Sequence, residues 1–176
     1  MKQKTTLHRT AWIAVGLALL FVPFVAHAQA PPSTGAGELE RDWNFRIGVF
    51  VPQSQTARKV MGTVGISGIV ERTVFNSRSY EINVGIGYNG MGNSYSVPMM
   101  GYIVGKTGSI RYGVGAGYSF NRKLNGQGSD DAVIGLLLGY RFTGAPYHLS
   151  LDARYNFIAG TSNQLDGLGV TLGARF

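Results

Sequence analysis

The chain lacks cysteine and has few charged residues. None of its 176 residues is a cysteine, which excludes both a disulfide framework and a thiolate metal site. Only 14% of the residues are charged, and the mean hydropathy is +0.04. A value so close to zero argues against a protein built from long apolar helices and favours interleaved apolar and polar positions. The length allows one domain.

Positive charge is present but not concentrated. The formal net charge is +7, and it falls to +4 when Lys2, Lys4 and Arg9 are set aside with the N-terminal segment described next. The remaining basic residues are scattered along the chain, whereas nucleic-acid binding requires a clustered basic face. We therefore expect no nucleic-acid partner.

The N-terminal region has the pattern of a secretory signal peptide over residues 1–28. Basic residues are followed by an apolar run from Ala11 to Val25, and Ala26 and Ala28 supply small residues before a cleavage point. We expect cleavage after Ala28, which N-terminal sequencing of the mature protein tests; an uncleaved anchor is the alternative. Residues 29–42 are rich in proline and glycine and read as a flexible linker.

From Trp43 to the C-terminus, apolar side chains recur at every second position. Trp43, Phe45, Ile47 and Val49 share one face of a strand, because strand side chains alternate with period two. Eight such segments predict an all-β, eight-stranded antiparallel up-and-down transmembrane β-barrel over residues 43–176. The predicted strands are 43–51, 60–71, 80–88, 94–104, 110–120, 134–142, 147–157 and 168–176. Proline lacks the N–H that a sheet requires, so we expect a bulge or bend near Pro98.

The predicted connections alternate in length. Tight turns are expected at 75–78, 105–108 and 143–146, and the other connections at 52–59, 89–93, 121–131 and 158–167. Outer-membrane barrels have short periplasmic turns and longer external loops, so this order places both termini in the periplasm.

Aromatic residues cluster at the two ends of the apolar face. This placement predicts that the apolar face contacts lipid, since aromatic side chains favour the membrane boundary; a soluble, lipocalin-like barrel would turn the same face inward. The expected turn-end belt is Trp43, Phe45, Tyr80, Tyr140, Phe142, Tyr147 and Phe176, and the expected loop-end belt is Tyr88, Tyr118, Phe120, Tyr155 and Phe157.

The opposite face carries charges among many glycines. An eight-stranded barrel is so narrow that side chains fill its interior, and charges buried there must pair or be hydrated. We therefore predict a lumen closed by arginine–carboxylate pairs, with Glu71, Glu81 and Asp152 as acceptors. The expected lumen charges are Arg46, Glu71, Glu81, Arg111, Arg141, His148, Asp152, Arg154 and Arg175.

Two motifs suggest other chemistry. Residues 85–90 match the dinucleotide-binding string of spaced glycines, but the next predicted segment is a strand rather than a helix, so we expect no cofactor. His148 and Ser150 have the spacing that places a base beside a nucleophile on one strand face. This spacing is similar to that of outer-membrane lipid A deacylases. Leu151 stands where that family has asparagine, and no glutamate follows in 158–176, so we interpret the pair as polar lumen residues and the protein as non-enzymatic.

The third predicted external loop carries charges of both signs. Asp130 and Asp131 lack a patterned ligand set, so we expect a solvated loop and no metal site. Arg122 and Lys123 suit contact with anionic lipopolysaccharide.

Residues 43–176, with the preceding leader, resemble small outer-membrane β-barrels typified by opacity proteins and outer membrane protein X. The resemblance rests on the alternating segments, the strings at 85–88 and 115–118, and the terminal Arg175-Phe176. It implies Phe176 as a signal for the barrel assembly machinery, a cell outer-membrane location, and a structural or adhesion-type role through loops 52–59, 121–131 and 158–167. A narrow channel for small hydrophobic solutes is the alternative, with Pro98 as the place for a lateral opening.

Overall fold

The computed structural model describes residues 43–142, 148–160 and 165–176. They form eight strands in a closed barrel in which every strand pairs antiparallel with its neighbours in sequence and β1 pairs with β8. The strands are β1 (Trp43–Pro52), β2 (Gly65–Asn76), β3 (Tyr80–Met91), β4 (Ser94–Thr107), β5 (Ile110–Arg122), β6 (Gly128–Arg141), β7 (Ser150–Ile158) and β8 (Gly167–Arg175). Closure leaves no strand edge unpaired. The predicted fold class is confirmed.

The apolar face of the barrel points outward, as the alternation predicts. Ile47 is 71% exposed, whereas its neighbour Arg46 is 5% exposed. The same alternation continues along the other strands, with aliphatic side chains outside and mostly polar or small ones inside, apart from apolar lumen residues on β4, β6 and β7. A soluble barrel would have the reverse arrangement, so this arrangement excludes the lipocalin-like alternative.

Aromatic rings are paired at both ends of this outer face. At the end that holds the short turns and the C-terminus, here called the turn end, Phe45 packs on Phe176 and Tyr140 on Phe142. At the opposite, loop end, Tyr88 stacks on Tyr95. Further pairs are Phe75–Tyr80 at the turn end and Tyr118–Phe120 and Tyr155–Phe157 at the loop end. Tyr147 lies outside the described residues.

The prediction for the first loop was wrong. Residues 60–64 do not extend β2; instead a short helix, α1 (Gln55–Met61), occupies the connection. The Ser54 side chain caps it by accepting a hydrogen bond from the Ala57 N–H at 3.4 Å, and the segment contains good helix-forming residues. The loop therefore runs from β1 to Val64. Among the described residues, no helix is long and apolar enough to cross a membrane.

The bulge is also in a different place from the one predicted. The register of β3 with β4 is the same before and after Pro98, since Ile86 pairs with Met99 and Asn89 with Ser96. The register shift lies instead between Thr73 and Phe75, where β2 meets β3. Pro98 points into the lumen and is paired with Ser119 of β5.

Other strand ends differ by a few residues. β5 and β6 extend further than expected, so the connection between them is 123–127 rather than 121–131. β3 and β4 are joined by residues 92–93 alone. β7 begins at Ser150, and the preceding His148 has a backbone φ of 44°. The leader 1–28, the linker 29–42, the turn 143–146 and part of the last loop lie outside the described residues.

Lumen glycines leave room for the large lumen side chains of neighbouring strands. A Cβ on Gly139 would lie 2.3 Å from Asp152 Oδ1, and one on Gly173 would lie 2.5 Å from Arg46 Cγ. Each of these glycines pairs in register with the residue whose side chain covers it. These glycines therefore provide the space that large charged side chains on the paired strands occupy.

We predict that Gly139→Ala destabilises the barrel by about 1–3 kcal/mol, because an added methyl group must displace the Asp152 carboxylate. Gly101→Ala is the matched control, since a Cβ there meets nothing within 4 Å. Urea unfolding of both variants in detergent micelles measures the difference. Equal midpoints for the two variants would contradict the close packing of the lumen.

Candidate functional site

The candidate site is a network of charged side chains that fills the lumen toward the turn end. Every member occupies a lumen-facing position of its strand, so the period-two alternation alone aims the side chains at the barrel axis. The structure brings together eight residues from seven strands: Arg46, Glu71, Glu81, Arg111, Arg141, Asp152, Arg154 and Arg175.

Asp152 lies at the centre of the network. Its side chain is fully buried, and it accepts hydrogen bonds from Arg111 Nη1 at 3.0 Å and from Arg154 Nη2 at 3.1 Å. Arg46 Nη1 also lies 3.1 Å from Asp152 Oδ2, without the geometry of a hydrogen bond. Three guanidinium groups therefore surround one carboxylate, which needs them because it has left water.

Glu71 on β2 binds two of the same arginines, Arg46 on the neighbouring β1 and Arg154 on β7 across the lumen. Arg154 Nη2 reaches both of its oxygens at 2.9 Å, and Arg46 Nε donates to Oε1 at 3.0 Å. The guanidinium of Arg154 also lies 5.0 Å from the centre of the Tyr102 ring, a distance that suits a cation–π contact. β7 is thus linked by side chains across the lumen to β2 and β4, neither of which is its ladder neighbour.

Glu81 lies nearer the turn end and has three arginine partners. Arg111 Nη2 donates to Oε1 at 2.6 Å, while Arg141 and Arg175 approach Oε2 at 3.3 and 3.7 Å. Arg111 also contacts Asp152, so it joins this group to the central one. The network is continuous, and the carboxylates are those named as acceptors from the sequence.

One wall of the lumen also carries an apolar cluster, which the sequence reasoning missed, while buried polar side chains such as Asn89 and Ser119 line the loop end. A buried cluster joins β4, β6, β7 and the last loop, and it consists of Met100, Tyr102, Val104, Val133, Leu137, Ile158 and Leu165. The sequence did contain a signal for this cluster, because both faces of β4 and β6 carry apolar residues. Between this cluster and the charges lies a cavity of about 30 Å³, lined in part by Ser67, Glu71 and Tyr102. That volume holds roughly two waters.

His148 and Ser150 do not lie together on the lumen face of a strand as expected. Ser150 does face the lumen, where it is 4% exposed. His148 precedes β7 and is exposed, because its positive φ takes the chain out of the strand conformation. The lumen position of Ser150 gives a lipid substrate no access to its hydroxyl.

The loop end carries the remaining predicted residues. Tyr118 donates to Asp130 at 3.0 Å, and Asp131 accepts hydrogen bonds from Asn121 and Ser129. Across the described residues, no three metal-ligating side chains converge. Arg122 ends β5 and is exposed.

The last loop is anchored by Asp166. Its carboxylate accepts a hydrogen bond from the Ile158 N–H at 2.6 Å, and its carbonyl accepts one from the Gln53 N–H. Burial raises the pKa of the Asp166 carboxyl, although the Ile158 N–H favours its charged form. The first and last loops are thus joined at the loop end.

Phe176 and Arg72 meet lipid-facing aromatics at the turn end. Phe176 exchanges two backbone hydrogen bonds with Trp43 and packs its ring on Phe45, which extends the seam between β1 and β8 to the last residue. Arg72, which the sequence analysis did not single out, places its guanidinium 5.8 Å from the Trp43 ring centre. A long cationic side chain reaches water from such a position.

We predict that Asp152→Asn destabilises the barrel by roughly 3–5 kcal/mol, because three buried guanidinium groups lose their shared counter-charge. Asp130→Asn is the control, since it removes the same charge from an exposed site. The temperature at which the compact electrophoretic form is lost on heating in detergent measures the effect. If the two variants lost that form at the same temperature, the network would not stabilise the barrel.

No protein-family model matches the chain, and no curated protein sequence matches it. Solved structures do. The crystal structure of neisserial surface protein A (NspA) is 19% identical and superposes with a TM-score of 0.51, covering 77% of this chain and 95% of that one. A structure reported for the de novo design of transmembrane β-barrels gives 18% identity, the same TM-score and the same coverage. The likeness concerns the fold, which is that of a transmembrane β-barrel.

Proposed function

We propose that this protein is a non-enzymatic outer-membrane β-barrel with a closed lumen and a structural or surface-binding role. The observation that carries the proposal is the buried charge network, which joins opposite walls of the barrel where a channel would need open water. Eight arginine–carboxylate contacts of 4 Å or less cross this region among the described residues. A lumen filled by ion pairs stiffens the barrel and leaves no open path for ions.

The outer surface supports an outer-membrane location. An aliphatic band lies between aromatic pairs at the two ends, which suits a bilayer with two aqueous boundaries. We place the turn end and both termini in the periplasm and the loop end outside, following the common order of such barrels. We also propose that the barrel assembly machinery recognises Phe176 as its signal. We further propose that the protein is related to the opacity proteins.

Exposed basic side chains at the loop end suit contact with anionic partners. Arg58 and Lys59 lie exposed on α1, and Arg122 lies exposed at the end of β5. Lipopolysaccharide presents phosphate groups at that surface, and arginine binds phosphate with two parallel hydrogen bonds. We propose these residues as the contact with lipopolysaccharide, with other external ligands reached through the first, third and fourth loops.

We predict that the purified, folded protein shows no stable conductance steps in planar lipid bilayers, because its charges close the lumen. The sample must first show a boiling-dependent shift in gel mobility, which reports a folded barrel, so that an absence of current does not reflect failed assembly. Uniform, lasting current steps that depend on the folded form would overturn the closed-lumen proposal.

A narrow passage for small hydrophobic molecules is the second candidate, and one observation favours it. The ladder between β3 and β4 has no pair at Gly87–Pro98 or Tyr88–Val97, although the pairs on both sides of this gap are in register. The lumen cavity is lined by Gly87 and Pro98 and also by Ile86, whose side chain lies on the outer face. At this gap, the wall that separates lipid from lumen lacks two ladder pairs.

This candidate predicts that Gly87→Val reduces the uptake of naphthalene by proteoliposomes, since a Cβ there would already lie 3.1 Å from Pro98 Cγ. Gly101→Val, with open space around its Cβ, is the control. Uptake is followed by naphthalene fluorescence. Uptake no faster than in protein-free vesicles would eliminate the passage and leave the closed scaffold.

A further inference from the structure

An open pocket lies on the rim of the barrel at the loop end, and we call it the rim pocket. It has a volume of about 330 Å³ and is lined by Tyr95, Phe120, Asn121, Gly128, Ser129 and Asp130. These residues belong to the loop ends of β4, β5 and β6. The volume falls at the lower end of the range for small-molecule sites, and the lining combines aromatic rings with a few polar groups, as such sites do.

A glycine leaves one side of the rim pocket open. Gly128 pairs in register with Arg122, and Arg122 pairs with Tyr95 on its other side. The three positions therefore form one row across β6, β5 and β4. The nearest atom to a Cβ added at Gly128 would be the Asn121 carbonyl oxygen, at 4.0 Å. The row thus has an aromatic residue at one end, open space at the other and an arginine between them.

Opposite charges lie close together on the outer face at this rim. Arg122 and Asp130 are both exposed, whereas Asn121 on the alternate face is buried. Asp130 pairs with Phe120 and is therefore a diagonal neighbour of Arg122. Diagonal neighbours on an antiparallel ladder lie about 7–8 Å apart, which leaves space for a ligand between the two charges. The Tyr118 hydroxyl orients the Asp130 carboxylate by donating to it at 3.0 Å.

Aromatic rings on the same strands mark the level of the rim pocket in the membrane. Tyr95 stacks on Tyr88 with ring centres 5.9 Å apart, and Tyr118 packs edge-on against Phe120 at 5.8 Å. Both pairs lie at the loop end of the outer face, and aromatic belts of this kind lie at the boundary between membrane and water. The rim pocket is therefore at the level of the lipid headgroups.

We infer that the rim pocket binds a lipid headgroup that carries a phosphate and an ammonium group on a short linker, such as phosphoethanolamine. Arg122 binds the phosphate through charge-assisted hydrogen bonds, and Asp130 binds the ammonium group. The Tyr95 ring offers the same cation an aromatic face. The acyl chains continue along the apolar outer face. The inference rests on the surface-binding role proposed above, because it adds an amine to the phosphate contact of Arg122.

The test is a titration of the full mature chain, folded in non-ionic detergent micelles, with glycerophosphoethanolamine, which is the water-soluble headgroup without acyl chains. The NMR signals of the backbone amides report where it binds. We expect saturable shifts centred on Tyr95, Gly128 and Asp130. Glycerophosphoglycerol carries the phosphate without the amine, and we expect it to bind more weakly.

Charge variants separate the two halves of the ligand. Asp130→Asn is expected to weaken glycerophosphoethanolamine binding by about threefold to fivefold, as for the loss of an exposed charge pair, and to leave glycerophosphoglycerol binding unchanged. Arg122→Gln is expected to weaken the binding of both headgroups, since both contain the phosphate. Arg78→Gln is the matched control, because it removes an exposed arginine from the turn between β2 and β3.

A third variant fills the rim pocket without changing its charge. Gly128→Val places a side chain in the open space beside Arg122 and is expected to abolish binding. Gly101→Val is its control, because a Cβ there also meets open space but lies away from the rim. All variants must first show the boiling-dependent mobility shift of the folded barrel.

The outcomes distinguish this inference from the proposed phosphate contact. Equal affinity for the two headgroups, or unchanged binding in Asp130→Asn, would overturn the inference and leave the phosphate contact of Arg122 intact. If neither headgroup bound, both would be overturned. Saturable shifts centred away from Tyr95 and Gly128 would also contradict the site.

Discussion

The structure depends on the pairing of charges inside a barrel too narrow to hydrate them. Eight strands enclose a space that side chains must fill, and a charge in that space needs an opposite charge within reach. Asp152 meets this need for three arginines at once and is itself fully buried. Because its partners come from β1, β5 and β7, the same contacts that neutralise charge also hold separate walls of the barrel together.

That constraint explains the composition of the neighbouring strands. Gly139 pairs with Asp152 and Gly173 pairs with Arg46, so each large side chain lies over a position that has no Cβ. A lumen built from medium-sized residues at every position would lack both the charges and the space to pair them. The lumen can therefore hold its large charged side chains because glycines on the paired strands leave room for them.

The charge network differs in burial along the lumen. The central pairs are almost fully buried, which suits a fixed scaffold. Nearer the turn end, the side chains of Arg141 and Arg175 are 30% and 13% exposed. At the loop end, Asp166 joins the first and last loops by accepting hydrogen bonds from the backbone N–H groups of Gln53 and Ile158.

The sequence by itself determined the strand count, the faces and the acceptor carboxylates. Period-two alternation is a local property, and once residues such as Ile47 and Arg46 are assigned to opposite faces, a narrow closed barrel forces the charges together. It did not reveal α1, whose Ser54 cap competes with an apolar pattern that also fits a strand, nor the bulge at Thr73–Phe75. Only the tertiary structure decided which arginine meets which carboxylate, because these contacts depend on register and closure across strands far apart in sequence.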